Sequence, residues 1–288
     1  MEEHHKPVLL SEVLQVLDPH PGGEYLDLTA GYAGHANAIL DVTQNYKDSC
    51  LVDRDDYAVR VLAEKYESES VKILHMDFYN AALQLLQCGK TFDMILADFG
   101  VSSPQLDQPG RGFSFSSDGP LDMRMDRSQS QTAADIVNGY SERELTELFE
   151  KYGELSPGSA RKVAGLIISF RKKKRLETTR ELSELIAREK RAQVFQAIRI
   201  EVNDELGMIE RTLPLLPRLL KPGGRMAIIT FHSLEDRLVK EFFDKMSHLG
   251  EESELELINK KPIVAENMEL VNNPRSRSAK LRAVMKRR

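Results

Sequence analysis

Cysteine is scarce in this 288-residue chain: only Cys50 and Cys88 occur, far apart in sequence. Two such residues exclude a disulfide scaffold and a CxxC zinc site, and they fit a reducing compartment. No run reaches the roughly 18 apolar residues that a membrane-spanning helix requires. The N-terminus, Met1-Glu2-Glu3-His4-His5-Lys6-Pro7, lacks the apolar stretch of a secretory signal and the Arg-rich, acid-poor face of a transit peptide. A cytoplasmic location without a membrane partner is therefore expected. Positive charge is not in excess either. The 40 Lys and Arg stand against 45 Asp and Glu, a formal net charge of −5, which excludes a uniformly basic nucleic-acid coat.

What is present is a globular composition, 41% hydrophobic and 30% charged. At roughly 150 residues per domain the length implies two domains, or one core with a large insertion. Charge is locally biased. Arg275, Arg277, Lys280, Arg282, Lys286, Arg287 and Arg288 crowd the C-terminus with no acid among them, and Arg171-Lys172-Lys173-Lys174-Arg175 form a second block. Each block reads either as an anion-facing patch or as a solvated segment. Arg275, Arg277, Lys280 and Arg282 alternate with small or apolar residues. That spacing suits an extended arm that offers cations to RNA, or an edge strand of the core sheet.

After a first helical pattern ending near Asp18-Pro19, a strand–helix rhythm begins. Strands are expected at Tyr25–Leu28, Cys50–Asp53, Val71–His75 and Phe92–Asp98, the first three each followed by a helical stretch. Such alternation implies right-handed βαβ units and a parallel sheet. The rhythm breaks after Asp98 into a long Gly-, Pro- and Ser-rich loop. Four helical patterns follow between about Thr132 and Leu220, and strand character returns only after Lys221-Pro222-Gly223-Gly224. The expectation is an α/β core, 1–106 with 201–288, interrupted by a helical insertion at 107–200.

Three sites stand out. The first is the turn Asp27-Leu28-Thr29-Ala30-Gly31-Tyr32-Ala33-Gly34, placed where a doubly wound sheet binds its cofactor. Asp53, at the end of the second strand, suits ribose hydroxyls. Two glycines rather than three fit the dinucleotide fingerprint poorly. Asp27 ahead of the turn suits a ligand with a positive centre and an amino group, as S-adenosylmethionine has. Phe78 is placed to pack on an adenine face. The second site begins with Asp98-Phe99-Gly100-Val101-Ser102-Ser103-Pro104-Gln105, at the carboxyl end of the fourth strand, and runs on through Asp122, Arg124 and Asp126. Arg124 suits either a phosphate or a neighbouring carboxylate. The third is His232-Ser233-Leu234-Glu235-Asp236-Arg237, read either as substrate contacts or as a helix start with Ser233 as N-cap and Asp236 at N3.

Taken together, these motifs resemble the bacterial 16S ribosomal-RNA cytosine-N4 methyltransferase family, known as RsmH or MraW. The likeness runs almost end to end. It takes in His5–Leu10, Gly31–His35, Asp53-Arg54-Asp55, Asp98–Asp126, Phe195–Ile200, Val202–Leu206, Phe231–Arg237 and Asn273–Ser278. The resemblance implies a Rossmann-like, S-adenosylmethionine-dependent methyltransferase core with an inserted helical domain for substrate recognition. It implies methyl transfer to the exocyclic N4 of one cytidine of 16S ribosomal RNA near the ribosomal P site. Cofactor contacts are implied at Gly31, Ala33, Gly34, His35, Asp53, Phe78, Asp98 and Gln105. No metal is expected, and a homodimer is left open.

Three departures from the family's pattern are visible, the first being that its paired glutamates after Tyr-Gly are reduced to Glu154-Leu155. Ala33 stands where the family usually has Gly, which costs roughly 1 kcal/mol if φ is positive there. Glu189-Lys190-Arg191-Ala192-Gln193 replace a His-Pro-Ala-Thr-Arg run.

The residues also speak to mechanism. A cytosine amino group is a weak nucleophile, so a group accepting a hydrogen bond from N4 assists; Asp98, Ser102 and Ser103 are the candidates. Methylation at C5 would instead need a Cys thiolate, and neither cysteine lies in the Asp98 loop. Arg124, His232, Ser233, Arg275 and Arg277 are the expected substrate contacts. The rival readings are a nicotinamide-dependent oxidoreductase, which the missing third glycine disfavours, and a catalytically silent RNA-binding factor on the same fold.

Overall fold

The computed structural model describes residues 7–100, 108–248 and 250–287. The chain divides into two compact units, one of Met1–Gly100 with Gly207–Arg288 and one of Val101–Leu206.

The first unit is built on a seven-stranded sheet. Its strands are β1 (Tyr25–Asp27), β2 (Cys50–Asp53), β3 (Lys72–His75), β4 (Phe92–Asp98), β5 (Leu220–Thr230), β6 (Leu255–Leu257) and β7 (Lys280–Lys286), in the order β3-β2-β1-β4-β5-β7-β6. The strands β1 to β5 are parallel; β7 runs antiparallel to both β5 and β6. Helices α1 (Leu10–Leu17), α2 (Gly34–Thr43), α3 (Asp56–Lys65) and α4 (Phe78–Gln87) complete the βα repeats. The inner strands are buried along nearly their whole length, as expected when both faces of a parallel sheet are covered. Tyr25, Ile39, Leu40, Leu51, Leu62, Leu96 and Ile229 belong to this core. Strand order reverses between β1 and β4, and a doubly wound sheet places its ligand crevice beyond the carboxyl ends there. Asp27 and Asp98 are those ends. The expected Rossmann-like α/β architecture is present.

Two expectations about the sheet need correction. β5 begins at Leu220 rather than after Gly224. Its first residues bulge, because Phe92 pairs with Leu220 and Met94 already pairs with Arg225. Gly224 sits inside that bulge, where a Cβ would lie 2.9 Å from the carbonyl of Lys221 and 3.1 Å from that of Asp93.

The cationic C-terminus is not an extended arm. Lys280 to Met285 pair with Thr230 back to Arg225, so the segment is an interior strand covered on its far side by β6. Its cations are engaged within the chain. Arg282 is buried and reaches Asp236 Oδ1 at 2.6 Å, Lys280 Nζ lies 3.1 Å from Asp236 Oδ2, and Lys286 Nζ donates to the carbonyls of Pro217 and Leu220. The reason is long-range: Asp236 lies on α12 (Ser233–Ser247), and its carboxylate is held well below its usual pKa by these two cations despite burial.

The second unit is helical: α5 (Ala133–Gly139), α6 (Glu142–Lys151), α7 (Pro157–Arg171), α8 (Thr179–Leu185) and α9 (Arg191–Asn203). Then come α10 (Glu205–Thr212) and α11 (Leu216–Leu219), which leads into β5; α13 (Asn267–Asn272) precedes β7. Between Thr132 and Leu220 there are thus seven α-helices among the described residues, not the four patterns expected. Capping boxes divide them: Thr132 with Asp135, Ser141 with Glu144 and Thr178 with Glu181 each satisfy two otherwise orphaned N–H groups. Ile136, Leu145, Phe149, Val163, Ile167, Leu182 and Ile198 form the core of this unit. No helix among the described residues is long and apolar enough to cross a membrane.

Candidate functional site

The carboxyl ends of β1, β2, β4 and β5 gather acidic side chains in the first unit. Asp27 is enclosed: Tyr25 Oη donates to Oδ2 at 2.7 Å and the Thr29 N–H to Oδ1 at 3.1 Å. Burial pushes its pKa up to about 7, with Asp53 adding and the two hydrogen bonds opposing.

The chain then turns through Thr29–Ala33 into α2. Gly31 (φ +51°) donates its N–H to Asp53 Oδ2 at 2.8 Å. Ala33 is fully buried and left-handed, at φ 65° and ψ 24°. This is the conformation that favours glycine, so the methyl is carried at a conformational cost. As the N-cap of α2, Ala33 offers no side-chain acceptor to the helix's first N–H groups. Gly34 is small for a reason internal to the chain: a Cβ there would lie 3.1 Å from the ring of Pro7.

Asp53 ends β2 with both oxygens engaged, Oδ2 by Gly31 and Oδ1 by the Asp55 N–H at 2.8 Å. Burial raises its pKa, and these two N–H groups oppose the rise. Each oxygen retains a further lone pair for a ligand hydroxyl. Phe78 opens α4, and its ring stacks at a tilt on Phe99, with centroids 5.1 Å apart.

Asp98 is the least satisfied group of the site. Its backbone N–H donates to Thr29 Oγ1 at 2.6 Å, and its side chain is 21% exposed, yet Oδ1 is fully buried with no hydrogen-bond partner among the described residues. Burial, with Asp27 and Glu235 adding, pushes its pKa up to about 8. His35 Nδ1 lies 3.9 Å from Asp98 Oδ2. On the other side of the same ring, Nε2 is 2.8 Å from the carbonyl of Val8, which only accepts, so Nε2 carries the proton.

After β5, Phe231 packs where a Cβ on Gly100 would be, 2.8 Å from its ring; Gly100 has φ +151°. The helix start that follows is displaced by one residue from the expected one. His232, not Ser233, is the N-cap of α12, and Glu235, not Asp236, is N3. Glu235, almost wholly buried, accepts from the backbone N–H of Phe231 at 2.8 Å and of His232 at 3.3 Å. His232 Nε2 lies 3.1 Å from Glu235 Oε1, at an angle that makes no hydrogen bond. Ser233 is exposed. Glu235 is the residue that sequence reasoning passed over. The signal was there in the spacing from His232 to an acid three residues on, hidden because histidine is an unusual N-cap.

The remaining candidates fall as follows. Arg275 and Arg277 lie in a 3₁₀ turn, Pro274–Ser278, just before β7. Because Lys280 pairs with Thr230, this turn is at the same sheet edge as the β5 end. Arg124, in the second unit, grips Asp122 with Nε at 2.7 Å and Nη2 at 3.0 Å, and donates Nη1 to the carbonyls of Arg127 and Gln129. That makes it a framework residue of its own loop. Ser102, Ser103 and Gln105 lie outside the described residues. Cys50 begins β2, at the edge opposite Asp53, and burial pushes its thiol up to about 12; Cys88 is the exposed C-cap of α4.

Comparison with known proteins identifies the family. A family profile described as the MraW methylase family matches residues 2–287. The ribosomal RNA small subunit methyltransferase H of Elusimicrobium minutum (strain Pei191) is 44% identical over 293 residues, covering 98% of each chain. Its namesake from Citrifermentans bemidjiense is 44% identical over 311 residues, again covering 98% of each. That of Clostridioides difficile (strain 630) is 42% identical over 313 residues, covering 99% of this chain and 100% of the relative.

Proposed function

The chain belongs to the MraW methylase family, and from that premise we propose that it methylates the exocyclic N4 of a cytidine in 16S ribosomal RNA near the ribosomal P site, with S-adenosylmethionine as donor. Its partner is the small ribosomal subunit or its RNA, in the cytoplasm. The observation that carries the reading is Asp98: a buried, unpartnered carboxylate oxygen at the strand end where cofactor and substrate meet in such sheets.

The residues suit the cofactor group by group. Asp27 and Asp98 place two buried acids at adjacent strand ends, where their raised pKa values suit a nearby cation. The uncapped start of α2 is a complement for a carboxylate, Asp53 for a ribose diol and Phe78 for an adenine face. When bound, the cofactor supplies an electrophilic methyl on a sulfonium.

The chain's part is to position the acceptor. A cytosine N4 lone pair is delocalised into the ring, and a hydrogen bond from N4–H to Asp98 favours the more pyramidal nitrogen of the transition state. A cationic ligand beside Asp98 favours its ionised, accepting form. After transfer, N4 gives up one proton to Asp98 or to water, leaving N4-methylcytidine and S-adenosylhomocysteine. His35 lies beside Asp98, with Nδ1 3.9 Å from Oδ2, while its Nε2–H anchors the Val8 carbonyl. The acceptor is nitrogen rather than C5, since Cys50 and Cys88 lie away from this edge and the Cys50 thiol is held neutral.

Mass spectrometry of small-subunit RNA from cells with and without this protein tests the proposal. Loss of one N4-methylcytidine on deletion is expected. An unchanged nucleoside profile would overturn it and leave the silent RNA-binding reading.

A further inference from the structure

Resting on the ribosomal-RNA reading, we infer that the outer face of α7 in the helical unit binds the RNA phosphate backbone, through Arg161, Lys162, Lys172 and Lys173. Between Glu154 and Glu177 the sequence holds seven cations and no acid. The structure sorts these cations. Arg171 donates Nη1 to the carbonyls of Val137 and Tyr140, Lys174 pairs with Glu181, and Arg175 pairs with Asp135. The other four are exposed, and no hydrogen bond or ion pair engages them among the described residues. The cationic block at 171–175 is thus half internal, and the RNA-facing candidates extend back along the helix rather than onward in sequence.

Their positions are also not those that favour the helix itself. Lys172 and Lys173 follow the C-terminus, where the macrodipole welcomes cations, but Arg161 and Lys162 lie near the N-terminus, where it opposes them. The helices α5, α6 and α8 each carry an acid in the first turn; α7 carries none. The neighbouring α6 holds Glu142, Glu144, Glu147 and Glu150 against Arg143 and Lys151, so the two packed helices differ in the sign of their net charge. Arg161 and Lys172 are separated by about 16 Å along the axis, a length that meets several phosphates of one strand. The face between them carries Gly165, Ser169 and an exposed Leu166, and Glu142 of α6 comes near it, with Oε1 3.9 Å from where a Cβ on Gly165 would lie. A linear array of four exposed cations, unpaired among the described residues and with no acid between them in sequence, complements a polyanionic strand, and an acidic body overall confines that attraction to this face.

The test is the salt dependence of binding to a 16S ribosomal RNA transcript. The variant R161Q/K162Q/K172Q/K173Q should lower the magnitude of the log–log slope by about 3, since each phosphate contact contributes about 0.7–0.9. Its KM for RNA should rise at least ~10-fold with S-adenosylmethionine affinity unchanged. The charge-preserving variant R161K/K162R/K172R/K173R should bind like wild type. A control that removes four exposed lysines of the other unit, K47Q/K65Q/K240Q/K245Q, should change the slope little. A slope unaltered by the α7 variant, or altered equally by the control, overturns the inference. Should α7 instead meet an acidic protein surface, the RNA slope stays as in wild type, which overturns it equally. Failure of the wild-type chain itself to bind or methylate the transcript would instead overturn the proposed function.

Discussion

Asp53 and Asp98 end the two strands that flank β1, and burial drives both carboxyls toward the neutral form. The chain treats them differently. Asp53 accepts N–H groups from Gly31 and Asp55, one on each oxygen, and so fixes the turn that precedes α2. Asp98 leaves Oδ1 buried and unpartnered. An unmade hydrogen bond at a buried acceptor costs about 1–3 kcal/mol, which a fold tolerates where a ligand later provides the donor. In the proposed function, position at a strand end brings both residues to the ligand, and the difference in satisfaction gives Asp53 the part of holding and Asp98 that of chemistry.

The sharpest way to break this contrast is to exchange the two outcomes. Asp98→Asn should reduce kcat by roughly 10²–10⁴-fold, the range for a lost proton acceptor, in a protein that remains folded. Single-turnover kinetics separates that loss from a change in binding.

Asp53→Ala should act on affinity instead. It should weaken S-adenosylmethionine binding by about 1.5–3 kcal/mol in calorimetry, the range for a hydrogen bond to a charged group. A kcat effect at saturating cofactor as large as that of Asp98→Asn would erase the distinction.

A smaller effect concerns pH. Burial pushes the carboxyls of Asp27 and Asp98 up to about 7 and about 8, from an ordinary carboxylate value of about 4. Between these limits the native state holds protons that the unfolded chain has released, so stability of the free protein falls as pH rises through this window. A bound cation favours the ionised carboxylates, so cofactor affinity should rise severalfold from about pH 6 to about pH 7.5. The melting temperature should fall over the same span without cofactor. Asp98→Asn should flatten both trends; trends of unchanged steepness would place the protons elsewhere.

The smallest change is Ala33→Gly. It relieves a left-handed alanine at φ 65° and should stabilise the protein by about 0.5–1 kcal/mol in denaturant melts. Destabilisation there would show that the methyl's packing outweighs its conformational strain.

The sequence revealed the first half of the sheet well because its strands are short, fully buried runs bounded by turns, and that pattern is local. Asp53 and Asp98 followed from their places at the ends of such runs. β7 was obscured because its meaning depends on a distant partner: Lys280 and Arg282 look like a solvated tail until α12 brings Asp236 to them. The helix start at His232 was misplaced by one residue because Ser233 is the more usual cap. The seven helices merged into four because capping boxes at Ser141 and Thr178 interrupt apolar patterns that otherwise run on. That Arg124 closes its own loop on Asp122 depended on a side-chain direction that spacing does not encode.

The most direct test uses purified protein, methyl-labelled S-adenosylmethionine and small-subunit ribosomal RNA, with the products digested to nucleosides and resolved by mass. Label in N4-methylcytidine with the wild-type chain, and its loss with Asp98→Asn despite retained cofactor binding, is the predicted result. Label at C5 of cytosine or on another base, or an Asp98→Asn protein as active as wild type, would contradict it.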